Sequence, residues 1–223
     1  MRRAVAAEMM DDPEVDPREL AENFDDIERA NRLFGGIDPV VAGVFERDAT
    51  WLLDVGCGSA DIPRALLREA RARGRRLEIV ALDASESVLD IARARTGNDP
   101  LMRFVRADAR SLPFPDGAFD MATCNLALHH FEPPDAIEVL REMRRVARTP
   151  LVVDLERSGL AHFATLAFAQ FMAKNRLTKH DAPLSVRRAY TRREVAELAR
   201  LAGWTAPAVR RSPYFRLVLN DGE

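Results

Sequence analysis

The stretch Trp51-Leu52-Leu53-Asp54-Val55-Gly56-Cys57-Gly58-Ser59-Ala60-Asp61 decides the fold. Its apolar start has the composition of a buried strand, and it stops in a turn of small residues. From Ile62 the periodicity becomes helical, with Ile62, Leu66 and Leu67 apolar and Arg64 and Arg68 on the polar side. Strand, glycine turn and helix N-terminus in that order form a cradle for a nucleotide-like ligand. Glycine allows the close backbone approach and the positive φ values that such a cradle needs. An isolated Gly-x-Gly is common, so the flanking sequence has to carry the assignment.

Downstream, strands and helices alternate, which predicts a parallel sheet covered on both faces. Leu77 to Leu82 reads as a second strand ending at Asp83, and Ser85-Glu86-Ser87 then caps a helix carrying Val88, Leu89, Ile91 and Ala92. Met102 to Ala107 reads as a third strand ending at Asp108, and Phe119 to Cys124 as a fourth with Asn125 just beyond it. Pro133-Pro134 opens a helix, and Leu151-Val152-Val153 is a fifth strand ending at Asp154. Gly159 to Lys174 is apolar around much of its circumference. The polar stretch Asn175 to Asp181 and Pro183 follow it, then a helix capped by Thr191. Trp204 to Val209 and Tyr214 to Leu219 alternate as two closing strands. Upstream, residues 1–48 carry no strand pattern. A helix starts at Asp16-Pro17 and places Leu20, Phe24, Ile27 and Leu33 on one stripe, and a shorter one follows Pro39. The expected organisation is a helical cap over residues 1–48 and a ligand-binding domain over 49–223, with 159–190 inserted as a lid.

At 223 residues the chain suits one domain with a helical appendage, and its 47% hydrophobic and 30% charged content is that of a soluble globular protein. A net charge of -2 supplies no global field for nucleic acid or an anionic membrane, so neither partner is expected. The basic groups Arg71 to Arg76, Arg144-Arg145, Arg187-Arg188 and Arg192-Arg193 lie at helix ends and on polar faces, where solvated surface is the simplest reading. Cys57 and Cys124 sit inside strand-and-turn patterns, which argues against a disulfide, and with 4 histidines no metal site is expected. The first residues lack the apolar core of a signal peptide. No apolar run approaches the ~20 residues needed to span a bilayer, so no membrane insertion and a cytoplasmic location are expected.

In an open parallel sheet, ligands bind beyond the carboxyl ends of the strands, at the point where strand order reverses. The polar residues gather there: Asp54 with Gly56 and Gly58, then Asp83, Asp108, Asn125 and Asp154. Asp83 follows the turn by about 25 residues, near the ~20 typical of an acidic residue that accepts from ribose hydroxyls.

The motifs Asp-Val-Gly-Cys-Gly-Ser-Ala-Asp from Asp54, Leu-Asp-Ala-Ser from Leu82, and Ala-Asp-Ala-Arg-Ser-Leu-Pro-Phe-Pro-Asp-Gly-Ala-Phe-Asp from Ala107 resemble those of class I S-adenosylmethionine-dependent methyltransferases. The similarity is to the small-molecule enzymes of the ubiquinone- and menaquinone-biosynthesis type, and it covers roughly Trp51 to Asp154. It implies an α/β, Rossmann-like, seven-stranded and mostly parallel sheet with helices on both faces, and S-adenosyl-L-methionine as cofactor. By the same resemblance Gly56, Cys57 and Gly58 would pass under the methionine part, with Asp54 ordering the turn or reaching the amino group. Asp83 would bind the ribose hydroxyls and Ala84 would lie against adenine. Asp108 would accept from the adenine amino group, Ala109 would offer its N–H to the ring, and Asn125 and Leu126 would lie near the amino acid part and the sulfonium. Ala60 stands where the family usually has a third glycine, which is harmless if φ there is negative.

A sulfonium methyl is already activated, so the protein must align the acceptor, exclude water and, where needed, remove a proton. His130, then His129, in the loop after the fourth strand, are the first candidates for the base or for substrate contact. His180 beside Asp181 is the third. A Leu-His-His pair also occurs in this family as a structural feature beside the cofactor. Phe163, Phe168, Phe171 and Met172 of the insertion are expected either to line an apolar pocket or to pack in a buried or dimer-forming helix. The function expected is methyl transfer to a small hydrophobic or aromatic metabolite, by O-methylation of a phenolic, polyketide-like or quinone-precursor acceptor, with C-methylation of a similar ring as the alternative. Other classes remain to be separated. An NAD(P)-dependent oxidoreductase would share the acidic residue but usually has a third glycine where Asp61 stands. A non-catalytic S-adenosylmethionine-binding protein would share the whole donor site. A homodimer is left open.

Overall fold

The computed structural model describes residues 1–222. In chain order the elements are α1 (Pro17–Leu33), α2 (Asp38–Glu46), β1 (Trp51–Val55), α3 (Asp61–Ala72), β2 (Glu78–Asp83), α4 (Glu86–Thr96), β3 (Met102–Arg106), β4 (Phe119–Asn125), α5 (Pro133–Val146), β5 (Ala147–Leu155), α6 (Gly159–Phe171), α7 (Arg176–Arg188), α8 (Arg192–Leu201), β6 (Pro207–Ser212) and β7 (Arg216–Asp221). The strands form one sheet of order β3-β2-β1-β4-β5-β7-β6. β1 to β5 pair in parallel, and β7 alone runs against its neighbours β5 and β6. The chain steps outward from β1 to β3 and then returns to β4 on the other side. The switch point therefore lies between the carboxyl ends of β1 and β4.

Alternation along β1 shows why the sheet is a middle layer. Leu53 and Val55 pack with Leu140 and Met143 of α5 and Val195 of α8. Leu52 faces the other way, among Val44 of α2, Leu66 of α3 and Leu89 of α4. Both faces are buried, so the central strands read as near-continuous apolar runs.

Three regions differ from the sequence expectation. β5 begins at Ala147, four residues before the expected Leu151, where Ala147 pairs with Phe119 of β4. β6 and β7 begin two to three residues later than the alternation suggests, because pairing of β7 with β5, and of β6 with β7, sets their register: Val152 opposes Leu219, which opposes Val209 in turn. The polar stretch after α6 is helical as α7, capped by the Asn175 side chain, with Pro183 inside it. Pro183 is buried, and its carbonyl lies 3.1 Å from His162 Nδ1.

The N-terminal segment lies along α7 and the loop after β4. Ala4 N donates to Arg187 O at 2.9 Å, and the Arg3 guanidinium donates to Arg188 O, Phe131 O and Glu132. Met9 N and Met10 N donate to the Asp181 carboxylate. Arg188, expected on a solvated face, is buried and donates to Ala6 O and His130 O. Among the described residues no helix is long and apolar enough to cross a membrane.

Candidate active site

A cleft of about 1080 Å³ opens at the switch point. Its floor is the glycine turn. Gly56 and Gly58 adopt φ of +72° and +52°. A Cβ on Gly56 would lie 2.7 Å from the Ala127 Cβ, and one on Gly58 would meet the Phe24 ring at 3.1 Å. Both positions therefore need glycine for conformation and for space. Ala60 lies at φ +58°, in the left-handed region and fully buried, so the condition of a negative φ is not met. The turn forces the missing glycine's conformation onto an alanine, at a cost of roughly 1 kcal/mol. Leu126, Tyr214 and Phe215, all on the cleft wall, also have positive φ. Left-handed non-glycine backbone thus gathers around one cavity.

The expected donor-side residues gather on one half of the cleft. Asp54 is buried and accepts from Thr123 Oγ1 at 2.6 Å and Asn125 Nδ2 at 2.8 Å. Burial pushes its carboxyl up to about 7 against these hydrogen bonds. Asn125 Oδ1 is buried and has no partner, so a buried acceptor awaits a donor beside Asp54. Asp83 Oδ2 accepts from Gly58 N at 3.1 Å and Oδ1 from Ser85 N at 3.0 Å, and burial raises its carboxyl above the usual range. An ionised carboxylate offers about four lone-pair sites, so roughly two remain for a ligand. Ala84 is exposed along the cleft, and Ala109 is buried beside it. Asp108 is exposed, and Arg110 covers it with contacts of 2.7 to 3.0 Å, holding its carboxyl below the ordinary value. The Cys57 thiol is buried and pushed well up, which leaves it protonated and inert.

The opposite half is apolar. Leu20, Phe24 and Ile27 of α1, Phe34, Phe168 of α6, and Tyr214 with Phe215 line it. Phe34 meets Phe168 edge-on at 5.7 Å and Tyr214 at the same centroid distance. Of the aromatic and methionine side chains expected in the lid's pocket, only Phe168 faces the cleft. Phe163, Phe171 and Met172 are exposed and do not line it.

The two candidate histidines sit where the halves meet. His129 is buried, with Nδ1 2.6 Å from Asp154 Oδ1 and its backbone N–H donating to Asp154 Oδ2. His130 Nδ1 lies 3.0 Å from Asp11 Oδ2. Burial disfavours its charge, but the Asp11 hydrogen bond and the Glu8 carboxylate outweigh that and raise it to about 9. At neutral pH this favours the protonated, hydrogen-bond-donating form of His130 over the free base. His180 is paired with Asp181 Oδ1 at 2.7 Å, is half exposed, and is not part of the cleft wall. Asp181 is.

The sequence reading missed the N-terminal acids. Glu8 and Asp11 lie more than a hundred positions from His129 and His130, and no local spacing announces them. It also missed Glu28 on α1, which accepts from Ser59 Oγ, Arg64 and Arg95 and fastens the helix over the turn. Arg216, at the start of β7, was missed too. It donates to Phe34 O at 2.8 Å, and burial lowers it to about 10.

Known proteins match this arrangement. The methyltransferase domain family matches residues 52–149, from β1 into β5 and therefore across the whole donor half. The likeness to a methyltransferase domain is therefore confined in sequence to this segment. Over 107 residues the chain is 37% identical to a demethylmenaquinone methyltransferase from Staphylococcus haemolyticus, covering 48% of this chain and 43% of that protein. The chain thus spans less than half the length of the curated relatives it matches. Among solved structures, a SAM-dependent methyltransferase from Aquifex aeolicus superposes with a TM-score of 0.63 at 18% identity, covering 93% of this chain and 98% of that one. Magnesium protoporphyrin IX methyltransferase from Synechocystis, solved with bound SAH, gives 0.57 at 16% identity over 82% and 80% of the two chains. These likenesses extend the Rossmann-like methyltransferase fold over nearly the whole chain.

Proposed function

We propose that the chain transfers the methyl group of S-adenosylmethionine to a small hydrophobic or aromatic acceptor, by O-methylation of a phenolic, polyketide-like or quinone-precursor hydroxyl. The observation that carries this is a single cleft with two chemically different halves. Polar acceptors at the ends of β1, β2 and β4 adjoin an aromatic wall, and about 1080 Å³ exceeds what one drug-sized ligand usually occupies. The demethylmenaquinone methyltransferase relatives support a quinone-related acceptor.

The donor half fits the cofactor's parts. The Asp83 carboxylate retains lone pairs for ribose hydroxyls, and Asn125 Oδ1 and Asp54 present buried acceptors to an ammonium group. When bound, the sulfonium supplies an electrophilic methyl. The side chains contribute position and exclusion of water. Phe24 closes over Gly58, and Phe34 and Phe168 hold a flat acceptor. In this reading residues 1–48 act as a cap and 159–190 as a lid. His130 lines the junction of the two halves, beside the place of the acceptor's oxygen. The protonated state of His130 favours, as a second reading, methylation of an activated ring carbon, which requires only a weak base.

Calorimetry with S-adenosylhomocysteine and, separately, NADH tests the donor. The proposal expects micromolar binding of S-adenosylhomocysteine and none of NADH. The reverse would make the chain a nicotinamide-dependent protein.

A further inference from the structure

We propose that Glu8, His129 and His130 form a seat for one divalent cation of the zinc class, open toward the acceptor half of the cleft. The carboxylate of Glu8 is buried to 3% exposure, yet only Oε2 has a hydrogen bond, from Ser185 Oγ at 2.9 Å. Oε1 has none. A buried carboxylate oxygen without a partner is costly, and one aimed at two imidazoles asks for a cation.

The imidazoles are arranged to share it. His129 Nε2 lies 3.7 Å from Glu8 Oε1, and His130 Nε2 lies 3.9 Å from Glu8 Oε2. These separations are too long for hydrogen bonds. They are close to the ~3.4 Å between two ligand atoms that each stand ~2.0–2.1 Å from a tetrahedral zinc ion. One ligand atom from each of the three residues falls within 4.8 Å of the others. Both Nδ1 atoms are already engaged, by Asp154 at 2.6 Å and by Asp11 at 3.0 Å. A carboxylate on Nδ1 fixes the tautomer and ring orientation so that the Nε2 lone pair faces the ion. The nearest guanidinium, Arg188, has Nε 3.9 Å from Glu8 and directs its N–H groups to the carbonyls of Ala6, His129 and His130. Three carboxylates therefore surround two imidazoles and one guanidinium.

This departs from the sequence expectation of no metal, because Glu8 comes from a segment that shows no motif. The cation's uncovered side faces the cleft that all three residues line. There it takes the acceptor's oxygen, whose O–H bond ionises with the proton passing to solvent and the electron pair directed to the cation. That last step rests on the acceptor placement proposed above; the seat itself does not.

The test uses the full chain, stripped with a chelator, dialysed against Zn²⁺ and counted by mass spectrometry, with Zn²⁺ titration calorimetry on the wild type, Glu8→Gln and His130→Gln. One ion per chain is expected, with at least ~10-fold weaker binding in each variant and unchanged circular dichroism. Failure of the wild type to retain zinc, or wild-type affinity in both variants, overturns the seat. S-adenosylhomocysteine calorimetry on the same samples separates the readings. Its binding without zinc removes the seat and leaves the methyl-donor assignment; zinc without its binding does the reverse.

Discussion

Asp83 offers the sharpest perturbation of the donor half. Its carboxylate ends β2 and is held by Gly58 N at 3.1 Å and Ser85 N at 3.0 Å, so its direction is set before any ligand arrives. Two lone-pair sites remain for two ribose hydroxyls. A hydrogen bond to a charged group contributes about 1.5–3 kcal/mol, and water entering the truncated site returns part of that. Asp83→Ala should therefore weaken S-adenosylhomocysteine by about 2–4 kcal/mol, roughly 30- to 1000-fold in Kd. Asp83→Asn should fall between, since its amide keeps one acceptor but sets an N–H₂ against a backbone donor. Calorimetry gives the affinities, and thermal denaturation shows that the variants are folded. A 2′-deoxy analogue closes the cycle: it should lose affinity for the wild type and little more for Asp83→Ala. Binding within threefold of wild type by Asp83→Ala, or an equal loss of the analogue in both proteins, would refute the ribose assignment.

Three further outcomes follow from other parts of the cleft. Asp54 is raised to about 7 by burial and His130 to about 9 by Asp11 and Glu8 despite burial. Each binds protons more tightly folded than unfolded, so its contribution is complete below its unfolded pKa and is lost as pH rises through the folded one. The urea midpoint of the ligand-free chain should thus fall between about pH 4 and 9, and Asp54→Asn should remove its own share of the fall below about pH 7 while the shares of Asp83 and Asp61, also raised by burial, remain. An unchanged slope in the variant would contradict the burial argument. Ala60→Val should cost at least about 2 kcal/mol in chemical denaturation, because a β-branched residue is forced into the left-handed region inside a packed turn; a cost under about 0.5 would mean the turn is not left-handed there. Phe168→Ala should raise KM for an aromatic acceptor about tenfold through lost stacking while S-adenosylhomocysteine affinity stays within twofold. Equal loss of both ligands would show that Phe168 does not belong to the acceptor wall alone.

The central sheet was legible because strands covered on both faces advertise themselves. Leu52 and Leu53 pack on opposite helical layers, so apolar residues fill both faces of β1 and only the buried Asp54 interrupts the run. Asp83, Asp108 and Asn125 were legible as strand-end residues for the same reason. The edge pair β6–β7 was misplaced by a few residues, since Arg210, Arg211 and Asn220 blur the alternation and only pairing sets the register. Pro183 hid the continuity of α7, because a proline normally ends a helix and this one is retained by burial. The acceptor side was least legible. Glu8 and Asp11 reach His129 and His130 only once the N-terminal segment lies on α7, and the charge on His130 depends on that contact. Residue chemistry can be read locally; protonation and partnership at this site come from across the chain.

The most direct test is transfer of a labelled methyl group from S-adenosylmethionine to a panel of phenols, naphthols and reduced quinones, with products identified by mass spectrometry. The account expects at least one aromatic acceptor to gain a single methyl on oxygen, and the Asp83→Ala enzyme to lose that product in proportion to its weakened donor binding. Tight S-adenosylhomocysteine binding with no label transferred to any acceptor of the panel would contradict it.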